Sequence, residues 1–351
     1  MSKRWMIYGA NGYTATLVAE QAVALGMQPV LAGRNAEKVQ PIAQRMGLAT
    51  RIFPLSDFAA MVDALRDIDA IAHLAGPFSQ TSQPMVEACL EAKTHYLDIT
   101  GECSVFEAVL AKDESAKAAG VALIPGVGFD VVPTDCLAAK LKALLPDAVE
   151  LEMAIGGFGG NFGSISRGTL KTMVESIHQS SFVRREGKIV EVPFTWRTPQ
   201  IDFPHGTRQC VTAPVGDIVT AYRSTGIPNI AVYFEGAPRV FAALSTMQPL
   251  FKPNFVRRAL QQIVQWTKYG PDQQARAKAR SSFWGRVTNT SGQSATLTMN
   301  GPEGYNLTVA ATIKAVQKVL SGSVAAGTHT PSTAFGAGFI DDLDGIEIHQ
   351  V

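Results

Sequence analysis

The segment Gly9-Ala10-Asn11-Gly12-Tyr13-Thr14-Ala15 constrains this chain more than any other. It follows a short apolar run, Trp5 to Tyr8, which reads as a strand. It opens a stretch over Gly12 to Leu25 in which Leu17, Val18, Gln21, Ala22 and Leu25 recur at helical spacing. A glycine turn between a strand and a helix lets a phosphate approach the backbone. The helix start then offers unpaired N–H groups and a partial positive charge to the anion. The spacing is G-x-x-G-x-x-A, with Ala15 at the small position that serves helix–strand packing. Gly9, Ala10, Asn11, Gly12, Tyr13 and Thr14 are therefore expected to cradle a pyrophosphate.

The chain that follows keeps alternating. Pro29 to Ala32, Thr50 to Phe53, Ala70 to Leu74, His95 to Leu97 and Val121 to Ile124 read as strands. Helical patterns lie between them, at Ala36 to Met46 (closed by Gly47), Phe58 to Leu65, Pro84 to Ala92, and from a Ser104/Glu107 capping box to Gly120. Strands separated by helices of this length make right-handed βαβ units and a parallel, doubly wound sheet.

The end of the second strand selects the nucleotide. A carboxylate there binds a ribose 2′-hydroxyl, whereas an arginine accommodates a 2′-phosphate. The sequence reads Leu31-Ala32-Gly33-Arg34-Asn35, so Arg34 and Asn35 point to NADP(H) rather than NAD(H). Ser56 and Asp57 follow the third strand, where the adenine edge lies; Asp57 reads equally well as a helix N-cap. Ala75, Gly76, Pro77 and Phe78 follow the fourth strand, and Thr100 and Gly101 the fifth. These positions border the nicotinamide side, because ligands in such sheets sit outside the carboxyl ends of the strands.

After Pro125 the texture changes. Gly126, Gly128, Gly156, Gly157, Gly159, Gly160 and Gly163 crowd one stretch, and the alternation stops. The boundary is placed near Asp130, giving a nucleotide domain over 1–130 and an α+β substrate or dimerisation domain over 131–330. Within the latter, Ser281 to Thr288 and Ala295 to Met299 read as a β-hairpin, and Leu307 to Leu320 as an amphipathic helix. With 351 residues and a net charge of +1, the chain has room for two cores and no global pull toward nucleic acid. Its four cysteines are scattered, which fits a reduced, cytoplasmic protein, and no apolar run is long enough for a membrane span.

With these residues in hand, the chain resembles the saccharopine dehydrogenase-like oxidoreductases, in particular their trans-acting enoyl reductase branch. The likeness rests on the glycine loop, Ala32-Gly33-Arg34-Asn35, Gly76-Pro77-Phe78 and Tyr96-Leu97-Asp98-Ile99-Thr100-Gly101-Glu102. It continues through Pro125 to Asp135, Gly168-Thr169-Leu170, Gly270-Pro271, Phe283-Trp284-Gly285 and Thr330 to Gly336, and is least clear over about 180–265. The resemblance implies an N-terminal Rossmann domain, a second α+β domain and a C-terminal helix at Ser332–Leu343 returning to the first, so that 331–351 rejoins it. It also implies NADP(H), hydride transfer and a homodimer. Ala15 stands where the family often has glycine, a change that the packing position tolerates.

The chemistry is less legible. Glu102 follows the fifth strand and reads as an acid, a substrate anchor or a carboxylate favoured by a helix start. Asp98 reads as a backbone holder. Asp130 follows the sixth strand, and Thr134 or Asp135 reads as a cap for the next helix. Lys171 and His178 share a helix face, as substrate contacts or as a solvated surface. The remaining histidines form no metal spacing, so no metal is expected. Between Phe251 and Arg286, Lys252, Arg257, Arg258, Lys268, Arg276, Lys278, Arg280 and Arg286 face one acid, Asp272. Interleaved apolar residues make this segment a basic helix face on the core, or a contact for a membrane surface, an acyl carrier or a phosphorylated substrate. The expected activity is reduction of a C=C, C=O or C=N bond in an acyl or lipid-like small molecule. The alternatives are a saccharopine-type amino-acid dehydrogenase and an NADPH sensor without turnover.

Overall fold

The computed structural model describes residues 3–159, 166–176, 180–193, 195–251, 254–264, 266 and 269–351. Gly160, Gly163, His178, Lys252 and Lys268, singled out above, lie outside them. The described chain divides into two compact units, Met1–Phe129 with Thr308–Gly336, and Asp130–Leu307 with Ala337–Val351.

The first unit runs β1 (Trp5–Tyr8), α1 (Tyr13–Ala24), β2 (Val30–Gly33), α2 (Ala36–Met46), β3 (Thr50–Ile52), α3 (Phe58–Leu65), β4 (Ala70–His73), α4 (Phe78–Ala92), β5 (His95–Asp98), α5 (Cys103–Leu110), α6 (Asp113–Ala119) and β6 (Ala122–Ile124). Its parallel sheet has the order β6-β5-β4-β1-β2-β3, and the strand Gly327–Thr328 adds beyond β6. This is the doubly wound Rossmann arrangement, and it puts the reversal of strand order between β1 and β4. Every residue of β1, β2 and β4 is buried, as expected of a sheet covered on both faces. The helices begin where the sequence allows a cap. The Asn35 Oδ1 accepts from Lys38 N at 3.2 Å, the Asp57 Oδ1 accepts from Ala60 N at 3.0 Å, and α2 ends on left-handed Gly47.

The expected Ser104/Glu107 capping box is not formed. The helix starts at Cys103, with Glu102 at the N-cap, and the stretch to Gly120 is broken into α5 and α6. The Glu102 carboxylate is instead drawn to another helix, as described below.

The second unit is built on a nine-stranded mixed sheet. Its main path runs Gln200–Phe203, Gly206–Thr212, Asn229–Glu235, Glu150–Phe158, Arg280–Thr288, Ser294–Pro302 and Glu347–Gln350. Asn229–Glu235 and Glu150–Phe158 pair in parallel, and the other ladders of the path are antiparallel. The hairpin expected around 289–293 is the pair Arg280–Thr288 and Ser294–Pro302, with Asn289 Oδ1 accepting from Gln293 N at 2.9 Å across its turn. The helix Val132–Leu144 packs on Gly285, where an added Cβ would lie 2.7 Å from Leu141 Cδ1. A side chain there would have to displace the methyls of Leu141 and Leu137.

The C-terminal part of the chain differs from the expected course. The segment that rejoins the first unit is Thr308–Gly336, not 331–351. Its anchors are the Thr308 hydroxyl, which accepts from Phe129 N at 3.0 Å, and Asp113 Oδ1, which accepts from Thr328 N at 2.7 Å. The final residues stay with the second unit because Phe339 and Ile340 are buried there, Lys140 pairs with Asp341 at 2.6 Å, and Glu347–Gln350 completes the sheet.

Candidate functional site

The carboxyl ends of the first unit's strands carry a cluster of loops, and each is shaped by specific residues. At the end of β1 the backbone turns on Gly9, whose φ is +85°. A Cβ there would sit 2.8 Å from the Cβ of Ala75, in the loop after β4. The loops after β1 and β4 therefore touch at the point where strand order reverses, and only glycine permits the approach. Gly9 N and Ala10 N both donate to Ala32 O, and Gly12 N donates to Gly9 O at 2.7 Å, which closes the turn. Gly12 is the N-cap of α1 and gives that helix no side-chain cap; the first turn holds no acidic residue. The start of α1 is thus dressed for an anion and not for a carboxylate of its own.

Arg34 stands exposed at the end of β2, and its charge opposes the upward shift that burial imposes on the Tyr8 phenol, raised to about 12. No carboxylate occupies that strand end. Asn35 belongs to the same corner, but its side chain is used as the cap of α2. Asp57 likewise caps α3, so its cap reading is the one the geometry fills, and Ser56 beside it is exposed. Tyr13 and Thr14 open α1, next to the turn of Gly9, Ala10 and Asn11.

On the other side of the reversal point the loops are tied together by two carboxylates. Asp98, at the end of β5, is fully buried. Its Oδ1 accepts from Thr100 N and from Gly126 N, both at 2.9 Å, and its Oδ2 accepts from the Tyr96 hydroxyl at 2.7 Å. Its own carbonyl accepts from Val127 N at 2.7 Å. One side chain thus fixes the turns after β5 and β6. Burial pushes its carboxyl up to about 6, against the pull of those three donors.

Glu102 bridges in the other direction. Its Oε1 accepts from Phe78 N at 2.8 Å and its Oε2 from Ser79 N at 3.1 Å. It supplies the start of α4, which Pro77 cannot cap with a side chain, with an anion across the loops. Thr100 is buried, and its hydroxyl accepts from Glu102 N at 3.1 Å, so Thr100, Gly101 and Glu102 form one braced turn facing Ala75, Gly76, Pro77 and Phe78. With both oxygens committed to backbone N–H groups, Glu102 is built to hold this corner.

His73, at the end of β4, carried no signal in the sequence beyond a polar residue closing an apolar run. It is fully buried against Tyr8, Phe78 and Tyr96. Its Nε2 lies 3.0 Å from the Thr81 Oγ1, which donates to Ala75 O at 2.6 Å, so the Nε2 carries the proton. Burial lowers its pKa to about 3, which keeps it neutral. It supports the β4 loop from beneath.

Asp130 and Lys171 belong to the second unit. Asp130 is exposed at its first residue, and Lys171 is half-buried on the helix Arg167–Ser176. The N-cap of Val132–Leu144 is Val131, which supplies no side-chain cap, rather than Thr134 or Asp135. Both side chains are buried; Thr134 donates to Asp217 Oδ1, and burial together with the charges of Asp130 and Asp135 raises the Asp217 carboxyl to about 8. No cluster of metal-ligating side chains exists among the described residues. No described helix is long and apolar enough to cross a membrane.

The loops would suit a dinucleotide phosphate on three counts: a glycine turn that a Cβ would block, a helix start without a side-chain cap, and an exposed arginine at the end of β2. The comparisons with known proteins agree. Residues 5–124 match the model of the saccharopine dehydrogenase NADP binding domain. Over 150 residues the chain is 30% identical to a saccharopine dehydrogenase-like oxidoreductase of Rattus norvegicus, covering 37% of this chain and 35% of that protein. Over 210 residues it is 26% identical to a trans-acting enoyl reductase of Mycobacterium bovis, covering 55% and 49%. These matches span less than half the length of the curated relatives. Apo saccharopine dehydrogenase (L-Glu forming) from Saccharomyces cerevisiae shares the fold, with a TM-score of 0.68 over 99% of this chain and 100% of that one, at 14% identity. Residues 5–124 thus match an NADP-binding domain of the saccharopine dehydrogenase type, and the chain is similar to saccharopine dehydrogenase-like oxidoreductases and trans-acting enoyl reductases.

Proposed function

We propose that the chain is an NADPH-dependent reductase of an unsaturated or carbonyl group, C=C, C=O or C=N, in an acyl or lipid-like small molecule. The observation that carries the cofactor half is the reversal-point cradle: Gly9 against Ala75, the uncapped start of α1, and Arg34 where an NAD site would hold a carboxylate. The substrate half draws on the similarity to trans-acting enoyl reductases.

When bound, NADPH supplies the hydride, and the protein supplies position and exclusion of water. In this reading Gly9 to Thr14 and the N–H groups of α1 hold the pyrophosphate, and Arg34 with Asn35 holds the 2′-phosphate. Ser56 and Asp57 border the adenine, while Ala75 to Phe78, Thr100 and Gly101 line the nicotinamide end. Glu102 and Asp98 are positioning residues: they fix the loops that set the ring against the substrate. Asp130 and Lys171, both in the second unit, are proposed as substrate contacts.

The test is a turnover assay with NADPH and a panel of enoyl and keto acyl thioesters, set beside amino-acid imine acceptors. Oxidation of NADPH by an acyl thioester supports the reading. Oxidation by the amino-acid acceptors alone replaces it with a saccharopine-type dehydrogenase, and tight binding without turnover on any acceptor replaces it with a nucleotide sensor.

A further inference from the structure

A buried polar chain runs beneath the loop after β4. It starts at His73, the last residue of that strand, and ends at the carbonyl of Ala75. His73 is fully buried, and aromatic rings hold its imidazole on three sides. It stacks on Tyr8 with ring centroids 5.6 Å apart, meets Phe78 edge-on at 5.7 Å and lies tilted against Tyr96 at 6.0 Å. The two phenols give their protons elsewhere. Tyr8 donates to Phe53 O at 3.1 Å and Tyr96 to Asp98 Oδ2 at 2.7 Å, and the Nδ1 of His73 has no hydrogen-bond partner.

The imidazole proton therefore belongs on Nε2, which has Thr81 Oγ1 at 3.0 Å. A proton on Nδ1 would leave a buried N–H without an acceptor, a fault that folded proteins seldom carry. Thr81 stands near the start of α4, and its hydroxyl lies close to two carbonyls, Ala75 O at 2.6 Å and Pro77 O at 3.1 Å. The Pro77 contact is the local bond open to any helical threonine. The Ala75 contact reaches out of the helix into the loop. A hydroxyl carries one proton. By accepting from His73, Thr81 keeps that proton for the carbonyls, of which Ala75 is the nearer. With the other tautomer, Thr81 would donate to the ring and Ala75 O would lose its donor. The tautomer of a buried histidine thus decides whether the loop is held.

Ala75 is also the residue against which Gly9 packs, with no room for a Cβ between them. We propose that His73 and Thr81 are positioning residues for the nicotinamide half of NADPH, acting through the relay from Nε2–H to the Thr81 hydroxyl to Ala75 O. The inference rests on the NADPH reading above, which assigns Ala75 to Phe78 to the nicotinamide end. The relay acts on a different group from Glu102, which holds the N–H end of α4 and not the carbonyl of the loop.

The test is a titration of the full chain with NADPH and with 2′,5′-ADP, which keeps the 2′-phosphate and lacks the nicotinamide. Thr81→Val removes the hydroxyl at nearly constant volume. It should weaken NADPH about five- to tenfold and leave 2′,5′-ADP within about twofold, which also shows that the variant is folded. Thr81→Ser should restore the parent's affinity. His73→Phe keeps the aromatic packing and removes the donor. It should weaken NADPH about threefold in the parent and add nothing on Thr81→Val, because both substitutions cut one chain. Nitrogen-15 NMR of the histidine rings, with His73 assigned by its loss in His73→Phe, should show a protonated Nε2 and a bare Nδ1 from about pH 5 to 8. Equal weakening of both ligands by Thr81→Val, no weakening of NADPH, additive losses in the double variant, or a proton on Nδ1 overturns the proposal and leaves the NADPH reading standing. A parent protein that binds neither ligand overturns that reading and the proposal with it.

Discussion

Asp98 offers the sharpest test of how the nicotinamide-side loops are held. Replacing it by alanine leaves the Thr100 N–H, the Gly126 N–H and the Tyr96 hydroxyl facing a buried gap. An orphaned buried donor costs about 1–3 kcal/mol, so the three together cost about 3–6 kcal/mol once partial relaxation is allowed for. Asparagine is the informative control. Its Oδ1 can accept both backbone N–H groups, while its amide faces the Tyr96 hydroxyl as a donor, so it keeps two of the three bonds and discards the charge. Asp98→Ala should therefore be about 2–4 kcal/mol less stable than Asp98→Asn at one pH. The charge shows in the pH dependence. The folded pKa of about 6 lies above the ordinary 3.8, so the folded state binds the proton more tightly than the unfolded chain. The carboxyl thus favours folding at low pH, and that advantage is lost as pH rises from about 4 through 6, by up to about 3 kcal/mol. Asp98→Asn should remove this slope, and the difference between the two proteins should shrink as pH falls. Trp5, buried in β1, reports on this unit when Trp196, Trp266 and Trp284 are replaced by phenylalanine. Urea unfolding of that background at pH values from about 4 to 8 supplies the comparison. Equal loss in the alanine and asparagine variants, or parallel pH slopes in aspartate and asparagine proteins, would refute the reasoning.

Other expectations follow from the same geometry. Gly9→Ala places a Cβ at φ +85° and 2.8 Å from Ala75, so stability should fall by about 1–3 kcal/mol and NADPH affinity at least tenfold, read by thermal melting and nucleotide titration. Glu102→Gln retains an acceptor for one of the two α4 N–H groups and should keep most turnover. Glu102→Ala should lower kcat about tenfold or more with little change in the pH profile, because a lost brace rather than a lost acid is being measured; loss of the high-pH limb in the Gln variant would restore the proton-donor role. Gly285→Ala pushes on Leu141 and Leu137 and should destabilise the second unit by about 1–3 kcal/mol without altering NADPH binding.

The sequence carries the local parts of this design well and the long-range parts poorly. The β1 turn, the Gly47 stop, the Asp57 cap and the 289–293 hairpin are written in residues that are neighbours in the chain. The place of Arg34 at the end of β2 is legible for the same reason. Glu102 is not, because its partners are Phe78 and Ser79, 24 and 23 residues away. The local pattern instead favours a capping box at Ser104, and the carboxylate that starts α4 moves the beginning of α5 to Cys103. The same limit governs the C-terminus. Nothing local tells that Thr308 will cap the turn at Phe129, 179 residues away, or that Glu347–Gln350 will pair with Ser294–Pro302. The parallel pairing of Glu150–Phe158 with Asn229–Glu235 is equally non-local. His73 escapes notice because a buried neutral histidine looks, in sequence, like any polar residue at a strand end.

The central claim is that the corner at Gly9, α1 and Arg34 is an NADP(H) site. A fluorescence titration of the parent protein and Arg34→Ala with NADPH and NADH tests it most directly. A guanidinium–phosphate contact is worth about 1–3 kcal/mol, so the parent should prefer NADPH by about tenfold or more, and Arg34→Ala should lose that preference while NADH affinity holds. Equal affinity for the two nucleotides, an unchanged preference in Arg34→Ala, or no binding of either would contradict the account.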